Sequence, residues 1–570
     1  MALPFLLAVV LPAADYYVAQ QDPKASDDNN GTAAAPCKTI NRGLKDFKSG
    51  DTLFVKKGVY REVVNMCPPG VASGKSYGQM TSLMAFPGDD VVIKGSDVIT
   101  GWKNYKDKIW YTENAPVPTA LPIIFCDDKR LEIIGDWGGT MSAMIKKMAG
   151  FDVWKGRKGE KREELEVNSY FYDKACNRLY VWLADGGDPN SHQMEITMRG
   201  GLNIGGSYMR VSGIQILQAG SGVGGSYNIM ENCESSDASW SGGGVYGEFN
   251  TIIGCKFNRN GDQGMGGSGR GHRIINCETS WNNYLKIDAG WHSGGCKFIP
   301  FCSDIVMSGH VAAYNIACPG IWFDWGNFNI TVENSIVHHN GGGIMYEVSE
   351  RGTFRNNVCY ANYGRGIYLS NSPDCQVLNN VFYHNGMSGV AAVGVSRDGG
   401  DYGSGTNNRL PANNTVVWGN IFVDNCHPDF APKTMDGRDE PWTTRPELIM
   451  PDVHEINTGN ISDYNIFYRS PGRPMPFWFG WHLTLFKDLT EWQEKTGNDK
   501  HSIIAQPLFV NPTSFDFRPA PKSPAIDLVR PRMGGAYDMA GKMRDRKPPE
   551  GKPLRWTAGP FPFVPQEDKK

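Results

Sequence analysis

The sequence predicts an all-β protein whose central part is a right-handed parallel β-helix. Three observations support this prediction: a 23-residue period through residues 320–390, 68 glycines with 35 prolines, and no long window of apolar residues at helical spacing. Abundant glycine and proline are typical of many short strands joined by turns. A fixed period of this length is typical of stacked coils, each one a repeat of the same short unit.

The 23-residue period is defined by glycine and asparagine residues that recur at fixed positions. The glycines that precede Ile or Val at intervals of 23 residues are Gly320, Gly343, Gly366 and Gly389. Asn334 and Asn357 have the same spacing, which predicts a row of stacked asparagines in the turns. Each coil holds short β-branched runs and lacks the L-x-x-L-x-L signature of leucine-rich repeats. We therefore expect strands paired in parallel, about 4.8 Å apart from coil to coil.

Three of the 13 cysteines repeat with the coils. Cys233, Cys255 and Cys277 are 22 residues apart, and one residue type at one coil position indicates an internal stack of small side chains. This pattern does not resemble a disulfide framework. No C-x-x-C pair occurs, so the sequence predicts neither a metal site nor a cofactor.

The chain divides into five segments by composition and period. We expect a signal peptide at 1–14, a cap and first coils at 15–100, an inserted β-rich region at 101–200, core coils at 201–425, and irregular coils, a loop excursion and a tail at 426–570. A short amphipathic helix in the second segment would cover the open end of the solenoid and its strand edges.

The first residues, MALPFLLAVVLPAA, form an apolar run that ends in small residues, which predicts a secretory signal and an exported protein. A buried first strand is the alternative. No later run reaches the roughly 18 apolar residues that a membrane span requires. The formal charge of −3 gives no long-range attraction to nucleic acid. The sequence sets no oligomeric state.

Two carboxylates occupy one coil position. Asp324 and Glu347 each follow a period glycine by four residues. Side chains alternate along a strand, so both should point outwards from adjacent coils, with Cβ atoms about 5 Å apart. One protonated and one ionised carboxyl group at that distance suit a retaining glycoside hydrolase. The alternative is a pair of solvated surface acids.

The neighbours of this pair favour a sugar site. Trp322, Trp325 and Tyr368 would place aromatic surface beside the acids. Lys297 should lie in register with Trp322 on the preceding coil, and His292 comes just before it. These residues, with the two acids, are the candidate substrate-binding set. A lysine that only extends to solvent is the alternative for Lys297.

The segments GIWFDW and YEVSE resemble the active-site coils of glycoside hydrolase family 120, which are β-xylosidases on a right-handed, pectate-lyase-like β-helix. The resemblance implies Asp324 as nucleophile and Glu347 as acid/base. GWHSGGCK is similar to the family run that contains its lysine, here Lys297, and KIWY places Trp110 among the substrate-binding candidates. Trp291 and His292 depart from the family's His and Glu, and Ile299 departs from another His, which leaves the sugar open.

The sequence thus predicts cleavage of glycosidic bonds in a plant or algal oligo- or polysaccharide. Two other functions stay open. A polysaccharide lyase could use Lys297 as its base and would often neutralise a uronate with Ca²⁺ on several clustered acids. Separately, the Asp22–Asn30 loop at the capped end could bind Ca²⁺, with a solvated turn as the alternative. A non-catalytic carbohydrate-binding solenoid would bind sugar without turnover.

Overall fold

The computed structural model describes residues 13–116, 122–134, 161–173, 175–287, 292–394, 412–431, 445–451, 458–479, 484–532, 536, 538–540, 542–544 and 553–562. Residues 1–12 of the predicted signal peptide and Trp291 lie outside this description. The described chain is a stack of coils whose strands form three long parallel sheets, which confirms the predicted fold class.

The first sheet contains thirteen described strands. In spatial order they are Asp15–Val18, Thr52–Val55, Thr81–Ala85, Met209–Ser212, Ile229–Glu231, Thr251–Ile253, Arg273–Ile275, Val306–Ser308, Thr331–Glu333, Thr353–Arg355, Gln376–Leu378, Val416–Trp418 and Ile461–Asp463. Neighbours along the sheet come from successive coils. From Ile229 to Gln376, register partners are 22–25 residues apart, except for the lengthened coil between Arg273 and Val306, which spans 33.

The second sheet, here named the site sheet, also has thirteen described strands. They are Val64–Met66, Leu202–Ile204, Ser221–Val223, Gly243–Val245, Met265–Gly267, Cys296–Phe298, Pro319–Asp324, Gly342–Glu347, Ile367–Ser370, Val390–Val393, Leu448–Met450, Phe477–Phe479 and Thr484–Phe486. All pairs are parallel except the last one, which is antiparallel.

The third sheet is described in two parts. The first part contains Gly58–Tyr60, Val91–Lys94, Ile214–Leu217 and Glu234–Ser236. The second contains Glu278–Ser280, Val311–Ala313, Ile336–His338, Val358–Tyr360, Val381–Tyr383, Ile421–Val423, Ile466–Tyr468 and Ile503–Ile504. Single bridges through Lys256 join the two parts, because Lys256 pairs with Glu234 on one side and Glu278 on the other.

Inward side chains of successive coils stack on one another in the interior. Phe298 and Phe323, for example, have ring centroids 5.2 Å apart and nearly parallel planes. Cys233, Cys255 and Cys277 form the predicted internal column, and all 13 cysteines are free thiols. The amide of Cys233 lies 3.5 Å from the sulfur of Cys255. The predicted packing role of these cysteines is therefore confirmed.

Buried asparagines form a ladder at one turn. Each amide group donates from Nδ2 to Oδ1 of the next asparagine at 2.8–3.0 Å, in the order Asn260, Asn282, Asn315, Asn340, Asn362, Asn385 and Asn425. The last amide donates to Glu447 Oε2 at 2.6 Å, and Glu447 pairs with Arg469 at 2.6 Å. Since buried amides must find partners, the ladder satisfies each coil through its neighbour.

A second ladder corrects one detail of the predicted row. Asn357 accepts a bond from the amide of Ser335, not from a residue stacked on Asn334. Asn334 lies one position earlier, where Asn356 donates to it and both residues have positive φ. The spacing of 23 failed here because this coil is 22 residues long.

The described residues between 101 and 200 form two small sheets beside the solenoid. One contains Lys103–Lys106, Ile109–Thr112, Glu132–Ile133, Ser169–Asp173 and Arg178–Trp182. The other contains Ile124–Cys126, Lys129–Arg130 and Met194–Thr197, and it joins Ser96–Val98. The core of these sheets packs against Leu285 and Ile287 of the lengthened coil. The inserted region therefore contacts the solenoid in the coil that contains strand Cys296–Phe298 of the site sheet.

The remaining described elements are short. They are the α-helices Ile40–Gly43 and Leu489–Thr496, the 3₁₀ helices Arg162–Glu164, Pro189–Ser191 and Pro512–Ser514, and the strands Phe509–Asn511 and Asp516–Pro519. The first helix is one turn long, begins at the Thr39 cap and buries Ile40 at the amino-terminal end of the stack. None of the described helices has the length and apolar character required to cross a bilayer.

Candidate active site

The site sheet changes character at its seventh strand. Gly243–Val245, Met265–Gly267 and Cys296–Phe298 are three residues long, whereas Pro319–Asp324 and Gly342–Glu347 are six. The two long strands remain paired to their last residue. Their extra length therefore places the terminal residue of each strand within the ladder, at the rim of the sheet.

Those terminal residues are Asp324 and Glu347. They are direct register partners across the parallel pair, which brings them to adjacent positions one coil apart, as the sequence predicted. Ile321 and Phe323 are buried inside the solenoid, so alternation turns Asp324 to the outer face. The Asp324 side chain is 17 % exposed and Glu347 is 9 % exposed. Both acids are therefore largely buried with a small exposed fraction, and we name the position of this pair the recess.

Lys297 reaches into this recess from the preceding strand. Its Nζ lies 3.0 Å from Asp324 Oδ2 and 3.4 Å from the centroid of the Trp322 ring. Burial lowers the pKa of Lys297, and the carboxylates of Asp324, Glu347 and Asp262 oppose that shift in this order. The lysine is buried, so it does not extend to solvent as the alternative interpretation required. It neutralises part of the charge of the carboxylate pair.

The three predicted aromatic residues have different surroundings. Trp322 is 2 % exposed and lies under Lys297, so its ring supports the lysine and offers no open face for a sugar. Trp325 follows Asp324 directly, is 36 % exposed, and packs against Phe301 with centroids 5.9 Å apart. Tyr368 is half-buried beneath the Arg365 guanidinium, 4.4 Å from its ring centroid.

Phe301 is a residue that the sequence interpretation missed. It is 64 % exposed and occupies the coil position of Trp325, since the Phe301 amide donates to the Trp325 carbonyl at 3.0 Å. Both residues have positive φ. The lengthened coil before Phe301 obscured the register that would have identified it.

His292 lies on the coil of Lys297. Its Nδ1 is 2.8 Å from Oδ2 of Asp262, and its ring centroid is 5.7 Å from that of Trp240. Asp262 is fully buried and was not predicted. A signal existed, because Asp262 stands two residues before Gly264, and the corresponding residues before the next two strand glycines are Ser293 and Cys318.

Trp110 has a different position from the other candidates. It lies in strand Ile109–Thr112 of the inserted region, pairs with Val181, and packs on the core of that region. Among the described residues, no contact joins Trp110 to Asp324 or Glu347. The structure therefore brings together Asp324, Glu347, Lys297, Trp322 and Trp325, and leaves Trp110 in the neighbouring sheets.

One group of described residues has the chemistry of metal ligands. Cys126, Asp127 and His192 place their ligand atoms within 4.8 Å of one another on the surface of the inserted region. The two nitrogens of His192 lie 2.7 Å from Asp127 and 3.1 Å from Asp185, which raises the pKa of His192. A histidine between two carboxylates accounts for this group without an ion.

The fold and the recess define a parallel β-helix with a carboxylate pair on one sheet and a lysine in contact with one of the two acids. A family model described as "Right handed beta helix region" matches residues 266–430. The chain is similar to the structure of XylC in complex with xylose, with a TM-score of 0.65 and 15 % identity over 96 % of this chain and 98 % of that one. At this identity the likeness establishes the shared fold.

Two further similarities are more distant. The pectate lyase Pel9A aligns over 98 % of both chains with 13 % identity and a TM-score of 0.43. The uncharacterized protein YwoF of Bacillus subtilis (strain 168) is 23 % identical over 220 residues, which is 37 % of this chain. The match spans 41 % of YwoF, well under two thirds of that protein.

Proposed function

We propose that the protein is a retaining glycoside hydrolase that acts on an oligo- or polysaccharide. The observation that carries the proposal is the in-register pairing of Asp324 with Glu347, with Lys297 Nζ 3.0 Å from Asp324. Direct partners on adjacent coils have the short spacing at which a retaining enzyme holds its two carboxyl groups, about 5–5.5 Å.

The position of Lys297 indicates which of the two acids is the nucleophile and which is the acid/base. Lys297 Nζ forms an ion pair with Asp324 at 3.0 Å, and a carboxylate paired with a cation suits a nucleophile. Asp324 attacks the anomeric carbon while the bond from that carbon to the leaving oxygen breaks, and Glu347 donates its proton to that oxygen. Water then attacks the same carbon, Glu347 accepts the water proton, and the ester to Asp324 breaks. Two displacements at one carbon retain its configuration.

Xylose is the sugar that we propose first. The GIWFDW and YEVSE segments resemble the β-xylosidases of glycoside hydrolase family 120, and the similar XylC structure contains xylose. His292 stands where that family has a Glu, so the contacts to the sugar differ from those of the family even if the reaction is the same.

The test is a panel of aryl glycosides, led by aryl β-xyloside, with released phenol as the measurement. We expect phenol release by the wild type and a loss of about four orders of magnitude or more in Asp324→Ala. Azide should restore turnover in that variant and give an inverted glycosyl azide. The exposed Glu350→Gln variant is the control, one turn beyond the strand of Glu347. A wild type that inverts the anomeric centre would contradict the retaining assignment.

A polysaccharide lyase is the second candidate, and one observation favours it. Burial lowers the pKa of Lys297, as the base of a lyase requires. The ion pair with Asp324 opposes that role, because it holds the proton on the lysine. Incubation with uronate polymers distinguishes the two: absorbance from unsaturated product would indicate a lyase, and binding without either product would indicate a carbohydrate-binding solenoid.

We also propose that the protein is exported, on the basis of its apolar first residues. Amino-terminal sequencing of protein secreted from an expressing cell tests this. A mature chain that begins near Asp15 supports export with cleavage, whereas an intact Met1 in the cell contradicts it.

A further inference from the structure

A cavity on the outer face of the third sheet is separate from the carboxylate pair. The carboxyl-terminal segment of the chain forms one of its walls, so we name it the tail cavity. Its volume is about 660 Å³, within the range of roughly 300–1,000 Å³ that is common for ligand pockets. Its lining includes Tyr383, His384, Asp424, Tyr468, Ser470 and Phe509.

The floor of the tail cavity is formed by outward side chains of the third sheet. Tyr383, Val423 and Tyr468 are register partners on successive coils, and all of them line the cavity. Phe382 and Phe422, one position earlier, stack inside the solenoid with ring centroids 5.0 Å apart. Since side chains alternate along a strand, the two tyrosines point outwards, about 10 Å apart along the stack.

The opposite wall is a hairpin of the carboxyl-terminal segment. Strand Phe509–Asn511 pairs antiparallel with Asp516–Pro519, and Phe517 packs on Tyr383 with ring centroids 5.1 Å apart. Three prolines of this segment also line the cavity, and proline has little backbone freedom. The cavity is therefore built before a ligand enters, which lowers the entropy cost of binding.

The charge inside the tail cavity is balanced. Asp424 is 5 % exposed, and its Oδ1 accepts hydrogen bonds from the Ser470 amide and from Arg473 Nη1, both at 2.8 Å. Ser470 Oγ donates to Oδ2 at 2.6 Å. Because the carboxylate already has a cation and a hydroxyl group as partners, it does not require an ionic ligand.

His384 meets the cavity with the edge of its ring. The imidazole stacks on Tyr383 and on His427, with centroid distances of 3.7 Å and 4.3 Å, so both of its faces are covered. Burial, and then the nearby His427, lowers the pKa of His384 to about 4, so the ring is neutral at neutral pH. A neutral imidazole has one donor nitrogen and one acceptor nitrogen at its edge.

These groups fit a neutral sugar. A sugar hydroxyl both donates and accepts hydrogen bonds, and so do tyrosine hydroxyls and the edge of a neutral imidazole. Burial, and then Asp424, raises the pKa of Tyr383, so its hydroxyl keeps the proton. The aromatic rings of the floor and of Phe509 supply apolar surface for the carbon–hydrogen face of a sugar ring. A charged ligand would lose its hydration without gaining an opposite charge that is not already paired.

The tail cavity and the carboxylate pair are far enough apart to be occupied independently. Strand Val381–Tyr383 lies two coils beyond strand Ile336–His338, which shares a coil with Glu347. The carboxylates belong to the site sheet, whereas the floor of the cavity belongs to the third sheet. A short sugar in one of the two sites therefore leaves the other site open.

We propose that the tail cavity is a second sugar-binding site, which holds a neutral unit of the oligo- or polysaccharide away from the carboxylate pair. The identity of this unit with part of the substrate rests on the proposed function, whereas the preference for a neutral sugar follows from the cavity itself. Two binding points on one polymer would raise its effective concentration at the carboxylate pair.

Calorimetric titration of Asp324→Ala with a short neutral xylo-oligosaccharide tests the proposal, because this variant should bind the ligand without consuming it. We expect two binding events. Ala520→Trp, added to Asp324→Ala, places a large side chain on the lining of the cavity and should remove one event. Tyr363→Ala is the control, since Tyr363 is 55 % exposed and lies outside the lining. A titration that Ala520→Trp leaves unchanged would overturn the proposal.

Two milder measurements do not depend on filling the cavity. Tyr468→Phe removes one hydroxyl group and should weaken the same event about 2- to 10-fold, as for the loss of one hydrogen bond. A uronate oligosaccharide of equal length should bind this site at least about 10-fold more weakly, because its carboxylates would be buried without a partner. Equal affinity for the neutral and the acidic sugar would overturn the assigned ligand class.

The outcomes separate this inference from the proposed function. If the wild type hydrolyses no glycoside but Ala520→Trp removes a binding event, the proposed function fails and the second site stands. If Asp324→Ala abolishes hydrolysis but no change in the tail cavity alters binding, only the second site fails.

Discussion

Two halves of the site sheet share one backbone geometry and differ in the side chains on their outer face. Toward the amino terminus, the outward positions of three consecutive strands are Gly222, Gly244 and Gly266, in register with one another. The next two strands continue the same row with Lys297 and Trp322. The hydrogen bonds between the strands continue across the boundary, so the change from bare to functional surface requires no change of fold.

This difference shows that residues on the outer face can change while the packing of the interior stays the same. Inside, Phe298 and Phe323 stack in a close-packed column whose members must fit one another. Outside, Lys297 contacts Asp324 and Trp322, and all three lie on the outer face, so chemistry can be placed there without repacking the core. One additional paired residue at the end of each long strand, Asp324 or Glu347, adds the row that carries both acids.

Among the changes that compare the two halves of the site sheet, Glu347→Gln should have the largest effect. The amide cannot donate a proton to the leaving oxygen, so we expect a loss of about 10²- to 10⁴-fold on substrates with poor leaving groups. Phenols of low pKa need little protonation and should show a much smaller loss in the glycosylation step. A loss equal across leaving groups, measured by pre-steady-state phenol release, would contradict the acid role of Glu347.

Lys297→Met should have the next largest effect. It keeps the length of the side chain but removes the charge 3.0 Å from Asp324, and we expect kcat to fall about 10²- to 10³-fold, as when one charge-stabilising donor is lost. Exposed Lys256→Met, on a neighbouring coil, is the control and should leave kcat unchanged. Unchanged kcat in Lys297→Met would show that the lysine only packs on Trp322.

Gly343→Ala and Gly222→Ala compare two positions of the coil: Gly343 is a period glycine just before Ile344, and Gly222 is on the outward row of the site sheet. A Cβ at Gly343 would overlap the carbonyl oxygen of Gly366, which belongs to the backbone of the next coil. A Cβ at Gly222 would meet only Asn203 Oδ1, at 3.2 Å. We expect the free energy of unfolding to fall by about 1–3 kcal/mol or more in Gly343→Ala and by under about 0.5 kcal/mol in Gly222→Ala, measured by denaturant titration. Equal losses of stability in the two variants would contradict the difference expected between these two glycines.

The smallest effect is a shift of the alkaline limb of the pH profile. Burial lowers the pKa of Lys297, so the ion pair to Asp324 should be lost, and kcat/KM should fall, below the pH at which an ordinary lysine titrates. Lys297→Arg should move this limb upward, since arginine keeps its proton. Between the lowered and the ordinary pKa the unfolded chain binds the extra proton, so this group makes unfolding less favourable as pH rises.

Much of the fold and of the carboxylate pair could be predicted from the sequence, because both depend on the period. Counting from Gly320 and Gly343 to Asp324 and Glu347 gives the register that the structure has. Alternation along the strand also gives the outward face. It does not give exposure, and Trp322 is outward but covered by Lys297.

The other features of the site could not be predicted, because they lie where the period is interrupted. The ladder spacing is 22 residues from Asn260 to Asn282 but 33 from Asn282 to Asn315, and this lengthened coil lies between Asp262 and Lys297. The contact of Asp262 with His292 spans that irregular length, so no counting rule pairs them. Trp110 lies in the inserted region, where its strand pairs antiparallel with Arg178–Trp182 and has no repeat to place it.

The asparagine ladder also has a mechanical consequence. Its amides connect the coils from Asn260 to Asn425 in one continuous hydrogen-bonded column, and the column is anchored by Glu447 and Arg469. A rod held in this way loosens from its ends, because an end coil has a neighbour on one side only. Heating or stretching the molecule should therefore peel away the outer coils first. The coils that space Asp324 from Glu347 lie within the column, so that spacing should be among the last dimensions of the molecule to change.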